Sequence, residues 1–135
     1  MYKRQVYLWN GAAARFGLMP AFAAGCAVEA LGVAASVGLG PVAGPLIGAV
    51  LLGGTFVAIT AIGLQAGRLL ARAAPRRAFA FMTAAFGVGQ IVGPVAAGVI
   101  AEASGSFAAP SLGAALALLL SAAIAWEIGR KKRSG

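Results

Sequence analysis

Four long apolar stretches decide what this chain can fold into. A helix needs about 20 consecutive apolar residues to cross the hydrocarbon core of a bilayer, and residues 18–39, 42–66, 78–101 and 107–128 each reach that length. In lipid the backbone N–H and C=O groups must be satisfied within the segment, so stretches of this kind are helices. The breaks between them carry turn chemistry: Gly40-Pro41 followed by Gly44-Pro45, residues 72–77 with Pro75, and Ser104-Gly105-Ser106. Connections this short make neighbouring helices antiparallel. The expected architecture is therefore all-α and polytopic, with four transmembrane spans. Composition agrees, because 61% hydrophobic residues and three acids in 135 residues leave too little polar surface to cover a soluble globule. The 20 glycines fit the same reading, since small residues let helices approach closely in lipid.

Charge placement tests this parsing independently. Cytoplasmic loops collect Lys and Arg, whereas translocated loops do not. Arg15 precedes the first span, Arg68, Arg72, Arg76 and Arg77 lie between the second and third, and Arg130, Lys131, Lys132 and Arg133 follow the fourth. The other two connections contain neither Lys nor Arg. Four crossings then put every cation on one side, with both termini cytoplasmic and residues 6–17 and 129–135 forming a cytoplasmic loop and a basic tail. The net charge of +8 becomes a topology signal. The bilayer is the expected partner and nucleic acid is not, because a nucleic-acid surface needs a soluble basic face. Trp126 suits an aromatic anchor at the inner interface.

Chemistry is sparsely provided. Cys26 stands alone and histidine is absent, so no internal disulfide, metal centre or cofactor is expected, and the chain does not read as an enzyme. An ionisable group inside a span is costly and marks a functional site by default, which singles out Glu29 near the middle of the first span. Gly25, Glu29, Gly32 and Ser36 follow i, i+4, i+7, i+11 spacing, placing the carboxyl on a small-residue stripe that should meet another helix. Glu29 is then either a proton-titrating carboxylate or a hydrogen-bonded packing residue. In the second span Gly44, Gly48 and Thr55 share a face, and Thr60 and Gln65 are further polar candidates.

The third span carries the densest pattern, residues 87–98. Gly89, Gly93 and Ala97 have close-packing spacing, with Gly98 beyond them, and Pro94 removes a backbone donor and invites a bend. On an adjoining face Thr83 and Gln90 either look into a polar cavity or bond to another helix. Arg68, Arg72, Arg76 and Arg77 read as topology determinants. The fourth span, rich in Ala and Leu, reads as a lipid-facing supporting helix.

The first five residues, Met1-Tyr2-Lys3-Arg4-Gln5, match the translation of a transposon adapter end used in DNA sequencing, so they are read as an assembly scar, with the natural protein expected to run upstream of Val6. From there the chain resembles the last four of the twelve helices of the major facilitator superfamily. Gly89-x-x-x-Gly93-Pro94-x-x-Ala97-Gly98 is similar to the C-half counterpart of that family's glycine-proline antiporter signature, with Ala97 replacing a glycine. Residues 10–17, ending Ala14-Arg15-Phe16-Gly17, look like a degraded copy of its cytoplasmic Gly-x-Leu-Ala-Asp-Arg-x-Gly loop, with Ala14 where the aspartate stands. Residues 79–87 leading into Gln90 are similar to the YbfB/YjiJ-type branch. The resemblance implies the C-terminal part of a secondary active transporter in the bacterial cytoplasmic membrane, forming part of a six-helix half. It further implies alternating access and a small-molecule substrate, with the remaining helices of the parent as partners. It assigns Thr55, Thr60, Thr83 and Gln90 to the pathway and places Glu29 on an outer helix. Two other readings stand beside it. One is a complete four-helix exporter similar to the small multidrug resistance family, favoured by length and Glu29 but not by the strong charge asymmetry. The other is a non-transporting structural membrane subunit.

Overall fold

A computed structural model describes the backbone of residues 2–131 and the side chains of residues 7–131. Met1 and the tail cations Lys132 and Arg133 lie outside the described residues, as do the side chains of residues 2–6. Five helices follow one another: α1 (Tyr2–Phe16), α2 (Leu18–Gly38), α3 (Ala43–Leu70), α4 (Pro75–Ser104) and α5 (Ala108–Lys131). The last four are long and apolar enough to cross a membrane, which makes the chain an all-α multi-pass membrane protein.

The helices end where the backbone is free to turn. Gly17 (φ 94°), Gly40 (φ 85°) and Gly105 (φ 68°) occupy the left-handed region that a side chain disfavours, and Pro75 opens α4 at a position where its missing N–H costs nothing. Helices α3 and α4 run past the apolar windows into Arg68 and back to Arg76, since backbone hydrogen bonding continues into the interfacial layer. Of residues 6–17, read as a loop, all but Gly17 belong to α1. Ala12, Ala13 and Ala14 favour helix, and α1 lies on α2 and α3 with the Trp9 ring beside Gly25. Tyr7 and Leu8 point outward, 77% and 74% exposed.

The bundle is organised around α2, which packs along α3 on one side and α5 on the other. Its core is small-residue packing: Ala21, Ala23, Cys26 and Ala30 of α2 against Ala58, Ile59, Ile62 and Ala66 of α3 and Ala115 and Ala125 of α5. Helix α5 is thus a packing element on its Ala115, Ala125 and Gly129 face and apolar and open only on the opposite face, where Leu116 and Leu120 stand exposed. Read from the sequence as a lipid-facing supporting helix, α5 packs through an alanine face that the sequence does not single out, because alanine looks alike on both faces of a uniformly apolar segment. Helix α4 behaves differently. Its first half leans on α3 through the Phe56 and Phe86 rings, 6.1 Å apart, and through Met82 over Gly67. Beyond Phe86 only Ala101 is buried.

Candidate functional site

Two helix backbones approach closely where α2 and α3 cross. A Cβ placed on Gly44 would stand 2.7 Å from the Ala35 carbonyl oxygen and 2.8 Å from that of Ser36. One placed on Gly48 would stand 2.9 Å from the Gly32 oxygen. Only glycine lets the two backbones approach this far. The antiparallel register then runs on down the seam, with Gly32 against Gly48, Glu29 against Thr55, Gly25 against Ile59 and Phe22 against Gly63. The stripe of Gly25, Glu29, Gly32 and Ser36 therefore meets α3 and not lipid.

Two polar side chains are enclosed in this seam. Glu29 is 6% exposed and Thr55 is 4% exposed. The Thr55 hydroxyl lies 2.7 Å from the Leu51 carbonyl oxygen, one turn back, and 3.3 Å from Glu29 Oε1. No Lys, Arg or His occurs anywhere in α2 or in α3 before Arg68, so the carboxyl faces no cation across the seam. Its surroundings are small apolar side chains, with Cys26 one turn earlier on α2 and itself buried. Chemically, the arrangement offers one carboxyl group with one hydroxyl partner, enclosed in apolar surroundings.

Sequence reasoning named both residues and gave them different roles, Thr55 to a central pathway and Glu29 to an outer helix. The structure brings them together. The signal was present in the tight connection between the spans, which fixes how far each residue of α2 stands along α3. Thr60, Thr83 and Gln90 are not gathered with this pair. Thr60 donates to the Phe56 carbonyl at 2.8 Å and Thr83 to that of Phe79 at 2.9 Å, so each hydroxyl is held by its own helix. Gln90 is exposed on α4. On the same helix a Cβ at Gly87, Gly89, Gly93 or Gly98 would meet nothing within 4 Å, and Pro94 sits inside a helix continuous from Pro75 to Ser104.

The cations collect at one end of the bundle. Arg15 closes α1 with its guanidinium 5.7 Å from the centre of the Phe16 ring, and Arg68 lies at the same distance from that of Phe79. Arg72, Arg76 and Arg77 are exposed around the α3–α4 turn. Arg130 pairs with Glu127 at 3.7 Å near the end of α5. Among the described residues, the other end, with the α2–α3 and α4–α5 turns, carries Glu102 and no Lys or Arg.

The family described as "uncharacterised MFS-type transporter YbfB" matches residues 3–126, from the first turn of α1 to Trp126 of α5. No curated protein matches the chain, and no solved structure does.

Proposed function

Because the chain belongs to the major facilitator superfamily, within the YbfB-type group, we propose that it is the C-terminal part of a secondary active transporter that moves a small molecule across the bacterial cytoplasmic membrane by alternating access. The family match across all four spans carries this reading. Helix α4 adds to it: four glycines and a proline on a helix left almost bare by its own chain suit a surface that other helices of a parent transporter cover. In such transporters the substrate site lies near the bilayer midplane between repeats that rock against each other. On that basis Thr60, Thr83 and Gln90 are pathway residues, while Gly89, Gly93, Pro94 and Gly98 form the packing and bending surface. Glu29, with Thr55 as its partner, is the proton site. The cationic end faces the cytoplasm, with Arg68, Arg72, Arg76 and Arg77 as its determinants.

The test is to extend the reading frame upstream from raw sequence and to express the whole protein in everted membrane vesicles. Eight further in-frame spans are expected, together with substrate-dependent proton movement, reported by a pH-sensitive dye across a panel of small metabolites and abolished by Glu29→Gln. A stop codon directly upstream of an authentic start would overturn the fragment reading. Saturable gradient-driven uptake by the 135-residue chain alone would overturn the need for the remaining helices.

A further inference from the structure

Three hollows at the cationic end adjoin one another through shared wall residues and together outline a slot. The first, about 320 Å³, lies beneath the α1–α2 junction and is walled by Met19, Ala66, Leu69 and Leu70. A second apolar hollow of about 290 Å³ shares Met19, Ala66 and Leu70 with it and continues between the helices to Phe22 and Ile124. The third shares Leu69 with the first and has Arg68 and Arg72 on its wall. Each apolar chamber is near the lower end of the roughly 300–1,000 Å³ range of ligand pockets. Leu69 and Leu70 remain about half exposed, so the slot opens sideways into the membrane.

Charge says what occupies it. The chain has three acids. Glu29 is enclosed in the α2–α3 seam, Glu102 lies at the far end, and Glu127 pairs with Arg130. Among the described residues, Arg68, Arg72, Arg76 and Arg77 have no carboxylate partner. Guanidinium groups bind phosphate through paired N–H donors, and basic pockets between transmembrane helices on the cytoplasmic side suit anionic lipid head groups. We propose that this slot binds an anionic phospholipid, with its phosphodiester held by Arg68 and Arg72 and one acyl chain lying along Met19, Leu69 and Leu70. The other two arginines, Arg76 and Arg77, set orientation only. This does not depend on the transport reading, since every residue involved lies in the described bundle.

The experiment is native mass spectrometry of the full chain released from nanodiscs of phosphatidylcholine mixed with phosphatidylglycerol. Retention of phosphatidylglycerol over phosphatidylcholine is expected in the wild type. Arg68→Lys/Arg72→Lys keeps the charges that set orientation but removes the paired donors, and should cut that preference about tenfold, equivalent to 1.4 kcal/mol. Arg76→Lys/Arg77→Lys should leave it unchanged. Leu70→Trp, at a half-exposed wall position, narrows the slot and should lower retention of both lipids while the buried Cys26 thiol stays protected from labelling. Equal retention of the two lipids by the wild type would overturn the proposal. So would equal losses from the two arginine pairs, which would reduce the effect to general surface charge. Displacement of the lipid by soluble glycerophosphate would show an anion site without a chain-binding slot and would overturn it as well.

Discussion

Replacing Gly48 with alanine should loosen the α2–α3 seam, and the size of the effect follows from the crossing itself. The new methyl carbon would sit 2.9 Å from the Gly32 carbonyl oxygen and 2.9 Å from Ser36 Cβ, against an ordinary contact that begins at 3.4 Å. Both neighbours fall about half an ångström short. One is backbone and the other a Cβ, so no rotamer change relieves either contact and the helices must separate. Overpacking of this kind costs about 1–3 kcal/mol. Alanine also favours helix over glycine by about 1 kcal/mol, which would partly mask the clash. Gly53→Ala on the same helix removes that ambiguity, because its Cβ meets nothing within 4 Å while its gain in helix propensity is the same. The difference between the two variants therefore isolates the clash. Cys26 provides the assay: it is the chain's single cysteine, 2% exposed, so a thiol-reactive fluorophore reports unfolding in detergent. At roughly 2–8 °C per kcal/mol for a domain of this size, Gly48→Ala should melt several degrees below Gly53→Ala. Equal melting of the two variants, or the reverse order, would refute the close crossing.

Three further outcomes are expected. Thr55→Val keeps the side-chain shape but removes the hydroxyl beside Glu29 Oε1, and it should destabilise by about 1–3 kcal/mol in the same melt, whereas Thr55→Ser should retain most of the stability; a silent Thr55→Val would mean that the pair is incidental. Reporter fusions after Gly135 and within residues 104–107 should report opposite compartments, and the same compartment for both would overturn the four-span parsing. Gly93→Leu should leave the melting of this chain unchanged, because its surroundings here are open, yet abolish transport by the full-length parent at matched expression; Leu120→Ala, on the exposed face of α5, should be mild in both measurements.

The architecture was legible because bilayer thickness and turn chemistry act on local sequence. Four apolar stretches must be helices, and glycines at 17, 40 and 105 mark where the chain turns. The Glu29 stripe was legible for a similar reason, since spacing along one helix shows which residues share a face. What a single helix cannot show is the residue opposite. The pairing of Glu29 with Thr55 is a property of two helices in register, and it emerges only when the hairpin joining them is taken as a constraint. Helix α1 was hidden by its length, too short and too polar to cross a bilayer, and by Gly11 in its middle; Ala12, Ala13 and Ala14 favour helix, and its contacts with α2 and α3 add support that a single segment does not show.

The glycines carry the last step. Glycine inside a helix costs about 1 kcal/mol relative to alanine, so a glycine-rich helix must recover that cost through close packing. Along α2, α3 and α5 the recovery is visible at most glycines, although Gly38, Gly53 and Gly113 face open space. A Cβ at Gly25, Gly32, Gly44, Gly48, Gly63, Gly67 or Gly129 would press on a neighbouring helix. Along α4 it is not: Gly87, Gly89, Gly93 and Gly98 face open space, although their spacing is of the same kind. The sequence pattern alone does not separate the two groups, because it records that a close approach is permitted and not what makes it. The contrast is what gives α4 its place in the proposed function. Within this bundle its glycines cost stability without return, and a helix surface from the rest of a transporter would supply the missing contact.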